Sequence, residues 1–240
     1  MKAALLIARR EVAFYLRSWT GYLIIALVLF LDGLLFNTLV LPGDKRSAQV
    51  LHEFFYVASG VTMIAAALIS MRLIAEEREI GTINLLYSSP VRDGEIVVGK
   101  FLGAFAFLAV LTLPTVYMPA MIMIHGKVSY GHVAGGYLGL LLLGGAALAI
   151  GTFASTLTKI PIVAGVIAGC LLVALLAAWK LATVTERPLS DVFMSLALHN
   201  KHFEPFEAGI VHLRDVVYYL SVAYVSLFGA TRVLEARRWR

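Results

Sequence analysis

The sequence predicts an all-α integral membrane protein with six transmembrane helices, and three observations carry that reading. The chain is 60% hydrophobic and only 15% charged, whereas a soluble domain is about half apolar and about a quarter charged. The apolar residues come in long blocks rather than as a periodic scatter. Six of those blocks reach the roughly 20 residues that a helix needs to cross the hydrocarbon core.

In chain order, residues 1–20 form a short amphipathic helix rather than a span. Leu5, Ala8, Val12, Tyr15 or Leu16, and Trp19 recur at helical spacing, while Lys2, Arg9, Arg10, Glu11 and Arg17 take much of the rest. Such a helix suits the membrane interface, its basic side toward anionic headgroups. Spans follow near 21–41, 55–75, 100–124, 134–157, 161–182 and 214–234. The second carries no charge between Glu53 and Arg72. Pro114 and Pro119 are expected to bend the third. Gly135, Gly136, Gly139, Gly144 and Gly145 make the fourth rich in small residues and favour close helix packing. Only "TKIP" separates the fourth from the fifth, and Pro161 suits the first turn of the latter. The segment 183–213 is semi-apolar, is expected to be broken by Pro205 and Gly209, and is suited to dip back toward the membrane where protein buries it. No repeat, low-complexity tract or second domain interrupts this plan, and no cleavable signal is apparent after Arg9-Arg10.

Six spans put both termini on one side. That side carries thirteen Lys and Arg residues and the other seven, so the positive-inside rule puts both termini in the cytoplasm. The net charge of +5 has little polar surface to sit on, which argues against a nucleic-acid partner. The single cysteine, Cys170, excludes an internal disulfide and a cysteine metal cluster; its apolar surroundings suggest a buried thiol.

Gly94, Gly99 and Lys100 stand at the G-x-x-x-x-G-K spacing of a phosphate-binding loop. The following Ser/Thr position is Phe101, which cannot ligate magnesium, and no strand precedes the motif. The spacing reads as accidental, so no nucleotide site is assigned to this chain. His199-x-x-His202 beside Glu204 brings two imidazoles together without a clear third ligand, so no metal site is assigned. His125 and His132 flank a loop as surface groups. No nucleophile–base pair, H-E-x-x-H or intramembrane carboxylate pair is present, so no catalytic residue is assigned and an integral-membrane enzyme is the least supported reading. Asp32 sits mid-span, where a carboxyl faces a cavity, a pathway or a partner helix, and Asn37 follows about a turn and a half later.

The loop after the second span reads "MRLIAEEREIGTINLLYSSPVRDGEIVVGKFLG". With its charged run Glu76-Glu77-Arg78-Glu79, then Gly81-Thr82, Leu85-Leu86, Ser89-Pro90 and Gly99-Lys100, it resembles the permease subunits of six-span, ABC-2-like ATP-binding-cassette exporters. The late segment "HFEPFEAGIVHLRDVVYYLS" adds a likeness to permeases of gliding motility. The resemblance covers the whole chain, 1–240, as one transmembrane permease domain in the cytoplasmic membrane. It implies export driven by separate cytoplasmic ATPase subunits that hold the ATP and magnesium, a second copy or related permease as dimer partner, membrane lipid around both, and no cofactor in this chain. An ATPase-driven mechanical or scaffolding role in an envelope or motility assembly is the alternative it leaves open.

The resemblance also implies a coupling helix after span 2, docked in the ATPase and centred on Glu76, Glu77, Arg78, Glu79, Gly81, Thr82, Ile83, Leu86, Tyr87 and Pro90. The residues agree in part. Thr82 can cap a helix after the Gly81 break. Ile83, Leu86 and Tyr87 share a face, and Ser89-Pro90 stops the helix. Read from the residues alone, the same loop also fits a solvated connector.

Overall fold

The computed structural model describes residues 2–42, 45–83, 91–126, 128–187 and 189–238. Every regular element among them is helical: α1 (Lys2–Arg17), α2 (Trp19–Leu35) continued by a wide π turn (Phe36–Val40), α3 (Ser47–Ser70), α4 (Ala75–Glu79), α5 (Asp93–Thr112), α6 (Tyr117–His125), α7 (Tyr130–Leu157), α8 (Pro161–Val184), α9 (Leu189–Leu196), α10 (Asn200–Glu207) and α11 (Leu213–Arg238). Six helical stretches are long and apolar enough to cross a membrane: Trp19–Val40, Ser47–Glu79, Asp93–Ile124, Tyr130–Leu157, Pro161–Val184 and Leu213–Arg237. The chain is a multi-pass membrane protein.

Local chemistry sets several of the ends. Ser18 caps α2 by accepting from the Gly21 N–H at 3.1 Å, and Ser129 caps α7 by accepting from the Gly131 N–H at 3.2 Å. Pro161 opens α8, where a missing N–H costs nothing. The third span is interrupted at Pro114, where α5 stops at Thr112, a 3-10 turn covers Pro114–Val116 and α6 resumes at Tyr117, but not at Pro119, which lies in the first turn of α6 where its missing N–H breaks no helical bond. Pro205, however, does not break the late segment. It lies inside α10, removing only the one bond that its N–H would have made to the Lys201 carbonyl; Gly209, at φ +76°, follows the helix end.

α7 is the central helix. It packs on α3, α5, α8, α10 and α11, and a Cβ at Gly139 would lie 2.5 Å from the Phe206 side chain, so the close approach of α10 requires glycine there. The segment between α8 and α11 is correspondingly sunk into the bundle, with Leu198, Phe203 and Phe206 fully buried. α2, α8 and α11 form the periphery and expose large apolar side chains outward, among them Phe30, Val166, Val173 and Val225. Cys170 also faces outward, contrary to the buried thiol expected; lipid is as apolar as a protein core, so an apolar run does not tell the two surroundings apart.

The bundle has two chemically distinct ends. At one, Arg78 Nη1 and Arg237 Nη2 donate to the carbonyls of Thr156 and Leu157, both at 2.7 Å, which gathers α4, α11 and the end of α7. At the other, His52 of α3 and His132 of α7 both reach Glu207 of α10.

Candidate functional site

The α4 end holds most of the residues that the sequence singled out. α3 stops at Ser70 and the chain turns through Met71–Ile74 before α4 begins. No side chain of its own caps α4. Ser155 of α7 does so instead: its Oγ accepts from the N–H groups of Ile74 (3.1 Å) and Ala75 (2.9 Å) and donates to the Met71 carbonyl (3.1 Å). One hydroxyl thereby uses its full hydrogen-bonding capacity on a single break.

Below that break lies a network of charges. Arg72 grips Glu76 through Nε and Nη2, at 2.8 and 2.5 Å, in the two-pronged geometry that orients a carboxylate. Lys100, with its side chain 5% exposed, lies between Glu11 of α1 and Glu77 of α4; it pairs closely with Glu11 and stands 3.1 Å from Glu77. The Thr82 hydroxyl also donates to the Glu77 carboxylate. These groups and Arg10 line a cavity of ≈ 200 Å³. Tyr15 closes it from the core side: its hydroxyl donates to the Ile69 carbonyl at 2.9 Å, its ring stacks on Phe107 at 4.7 Å, and burial, with Glu11 nearby, pushes its phenol well above the usual range.

The phosphate-loop spacing dissolves here. Gly94, Gly99 and Lys100 all lie within the continuous helix α5, which offers no loop of free N–H groups. The glycines serve packing instead. A Cβ at Gly99 would sit 2.8 Å from the Ala4 carbonyl oxygen, and one at Gly103 would sit 2.5 Å from Glu11 Cβ. Gly99-x-x-x-Gly103 is thus a small-residue groove that admits α1. The expected apolar stripe divides: Ala8 and Tyr15, with Ala4, point into the bundle, while Leu5 and Leu16, with Trp19 at the start of α2, are exposed and present apolar area to an interface.

Of the coupling residues expected, Glu76, Glu77 and Arg78 are half-buried and engaged within the chain, whereas Glu79 and Gly81 are exposed. Gly81 takes φ +81°, the left-handed conformation that glycine adopts at little cost. Ile83 rests half-buried against the chain's own core, and Ile80 is 66% exposed. Leu86, Tyr87 and Pro90 lie outside the described residues. Sequence reasoning missed Glu11, Lys100 and Ser155 as members of this site. The available signal was the G-x-x-x-G spacing with a lone lysine inside it at the mouth of an apolar run.

The other expected residues are scattered. Asp32 is 5% exposed and its Oδ1 has no hydrogen-bond partner, while Asn37 is exposed, so the two face different surroundings. His199 and His202 diverge: His199 Nε2 bonds Ser59 at 2.6 Å, whereas His202 Nδ1 bonds Asp215 at 2.7 Å and its ring stacks on Tyr218. Among the described residues no three His, Cys, Asp or Glu side chains converge as metal ligands. His132, expected at the surface, is half-buried and donates to the Glu207 carbonyl at 2.5 Å.

Comparison with curated proteins finds no match. Comparison with protein families matches residues 5–224 to the ABC-2 family transporter protein profile, which takes in most of α1, all of the first five spans and the charged network at their shared end. The chain belongs to the ABC-2 transporter family and is a transmembrane component of the ATP-binding-cassette type.

Proposed function

We propose that this chain couples ATP hydrolysis by separate cytoplasmic ATPase subunits to export across the cytoplasmic membrane, working as a dimer with a second copy or a related permease. ATP and magnesium bind in the ATPase, not here. The α4 end is cytoplasmic, and the loop between α4 and α5 is the surface on which the ATPase pushes.

The observation that carries this reading is the placement of Lys100. It sits at the start of a spanning helix and holds both α1 and α4 by charge, so a push on the loop reaches two spanning units and the interfacial helix together. The outward apolar faces of α2, α8 and α11 suit a lipid boundary or a second permease. Asp32 is buried with an unpartnered oxygen in the first span, which supports a role for it in a pathway or at a subunit interface.

The test is copurification. The tagged chain, expressed with the ATPase encoded beside it, is expected to bring that ATPase down, and proteoliposomes of the complex are expected to move solute only with hydrolysable ATP. A complex that hydrolyses ATP without flux would point instead to a mechanical subunit, and absence of any ATPase would overturn the reading.

Orientation has its own check. In a Cys170→Ser background, single cysteines at Gln49 and Glu186, both exposed, are expected to react with an impermeant maleimide on intact cells, while cysteines at Arg92 and Lys159 react only after lysis. The reverse pattern would invert the topology.

A further inference from the structure

At the end of the bundle opposite α4, two cavities join. A chamber of ≈ 480 Å³ has His52, Lys201, Glu204 and Glu207 in its lining, and an apolar groove of ≈ 770 Å³ runs from it between α2, α3 and α8. Tyr56, Trp179, His199 and Asn200 line both. Each volume lies within the ~300–1,000 Å³ typical of small-molecule sites.

The chamber contains an unmet demand. The Glu207 side chain is 3% exposed, and its Oε1 has no hydrogen-bond partner. A buried carboxyl oxygen in that state is costly. Its neighbours leave the demand unfilled. His52 Nε2 addresses the other oxygen, at 3.3 Å. His199 Nε2 lies 3.8 Å away and is committed to Ser59; burial lowers its pKa to about 4, so it carries no charge at neutral pH. Lys201 lines the chamber without reaching Oε1. Burial, with Glu204 adding to it, pushes the Glu207 carboxyl up to about 7. In the chamber two carboxyls, Glu204 and Glu207, face one lysine, Lys201; a second lysine, Lys180, lines the adjoining groove. Tyr56 and Trp179 add aromatic rings to the lining.

The groove supplies the second half of a ligand's shape. It is walled by residues such as Leu35, Val61, Leu172 and Leu176, and its rim includes Ile64 and Val173, which are exposed at the periphery where lipid lies. A Cβ added at Gly60 or Gly169, both in the groove wall, would meet no atom within 4 Å, so the space is open.

We propose that the joined cavities bind a lipophilic primary amine, its ammonium donating to Glu207 Oε1 beside Glu204 and its hydrocarbon tail lying in the groove. The site holds whether or not the chain exports solute, and it is tested without the ATPase. The full chain in phosphatidylcholine nanodiscs is titrated with radiolabelled dodecylamine, and partition into empty nanodiscs is subtracted. A saturable component of about one amine per chain is expected. Glu207→Gln, which keeps the shape and removes the charge, is expected to weaken it on the order of tenfold to a hundredfold. Gly169→Leu fills open space without touching the core and is expected to weaken it comparably. Dodecanol and dodecanoate are expected not to compete. Absence of saturable binding, parental affinity in Glu207→Gln, or competition by dodecanoate as strong as that of the amine each overturns the proposal.

Discussion

Replacing Lys100 with methionine is expected to lower the stability of the chain by about 3 kcal/mol and to loosen α1 from the bundle. The Lys100 side chain is 5% exposed and holds Glu11 and Glu77 together. Breaking a buried pair by removing one partner costs ~3–5 kcal/mol, because the remaining charge is left uncompensated. The lower figure applies because Glu11 and Glu77 keep 15% and 22% of their side chains exposed and water screens them in part. Methionine retains the aliphatic stem and its packing, so the loss reports charge rather than volume. Combining Lys100→Met with Glu11→Gln and Glu77→Gln removes the uncompensated carboxylates and is expected to recover most of the loss. Thermal unfolding in detergent measures both variants, and proteolysis after Arg17 reports the release of α1. A triple variant no more stable than the single one would show that the charges are not what Lys100 serves.

Changing Leu86 to aspartate is expected to weaken ATPase recruitment by more than about a thousandfold. Full burial of a leucine in a partner groove contributes ~1.5–3 kcal/mol, and forcing a carboxylate into the same groove adds a desolvation cost of several kcal/mol. Each 1.4 kcal/mol is about a factor of ten. Glu79→Gln, at an exposed position, is expected to change recruitment little, since a rim charge pair is worth ~0–1 kcal/mol. The contrast is read by titrating purified ATPase against each variant and measuring hydrolysis in the complex. Parental binding by Leu86→Asp, together with loss of binding on changing Lys159 or Arg237, would place the docking surface elsewhere.

The legibility of the sequence follows the physics of each feature. Span number and position depend on runs of local apolar residues, and each predicted block overlaps one of the helices long enough to cross. The bend at Pro114 was legible because proline acts on its own backbone. The charged network was not. Lys100 stands 89 residues from Glu11, and nothing near either one announces the other. Which side of α1 packs on the bundle was not legible for a related reason: it is set by Gly99 and Gly103, far along the chain, against which Ile7, Glu11 and the backbone of Ala4 and Ala8 lie. The environment of Cys170 was misjudged because hydrophobicity ranks residues against water and says nothing of lipid against protein.

The Ser155 cap has a consequence for biogenesis. The N–H groups of Ile74 and Ala75 leave the ribosome some eighty residues before the hydroxyl that satisfies them. At about 5–20 residues per second, that interval is roughly 4–16 seconds. During it the third spanning helix must be made and most of the fourth must follow, while the bend between α3 and α4 has no lasting partner. The turn between α3 and α4 therefore acquires its clasp only once α7 is threaded into place. A nascent chain halted before residue 155 would carry α3 and α4 in sequence and still lack the clasp that holds the break between them.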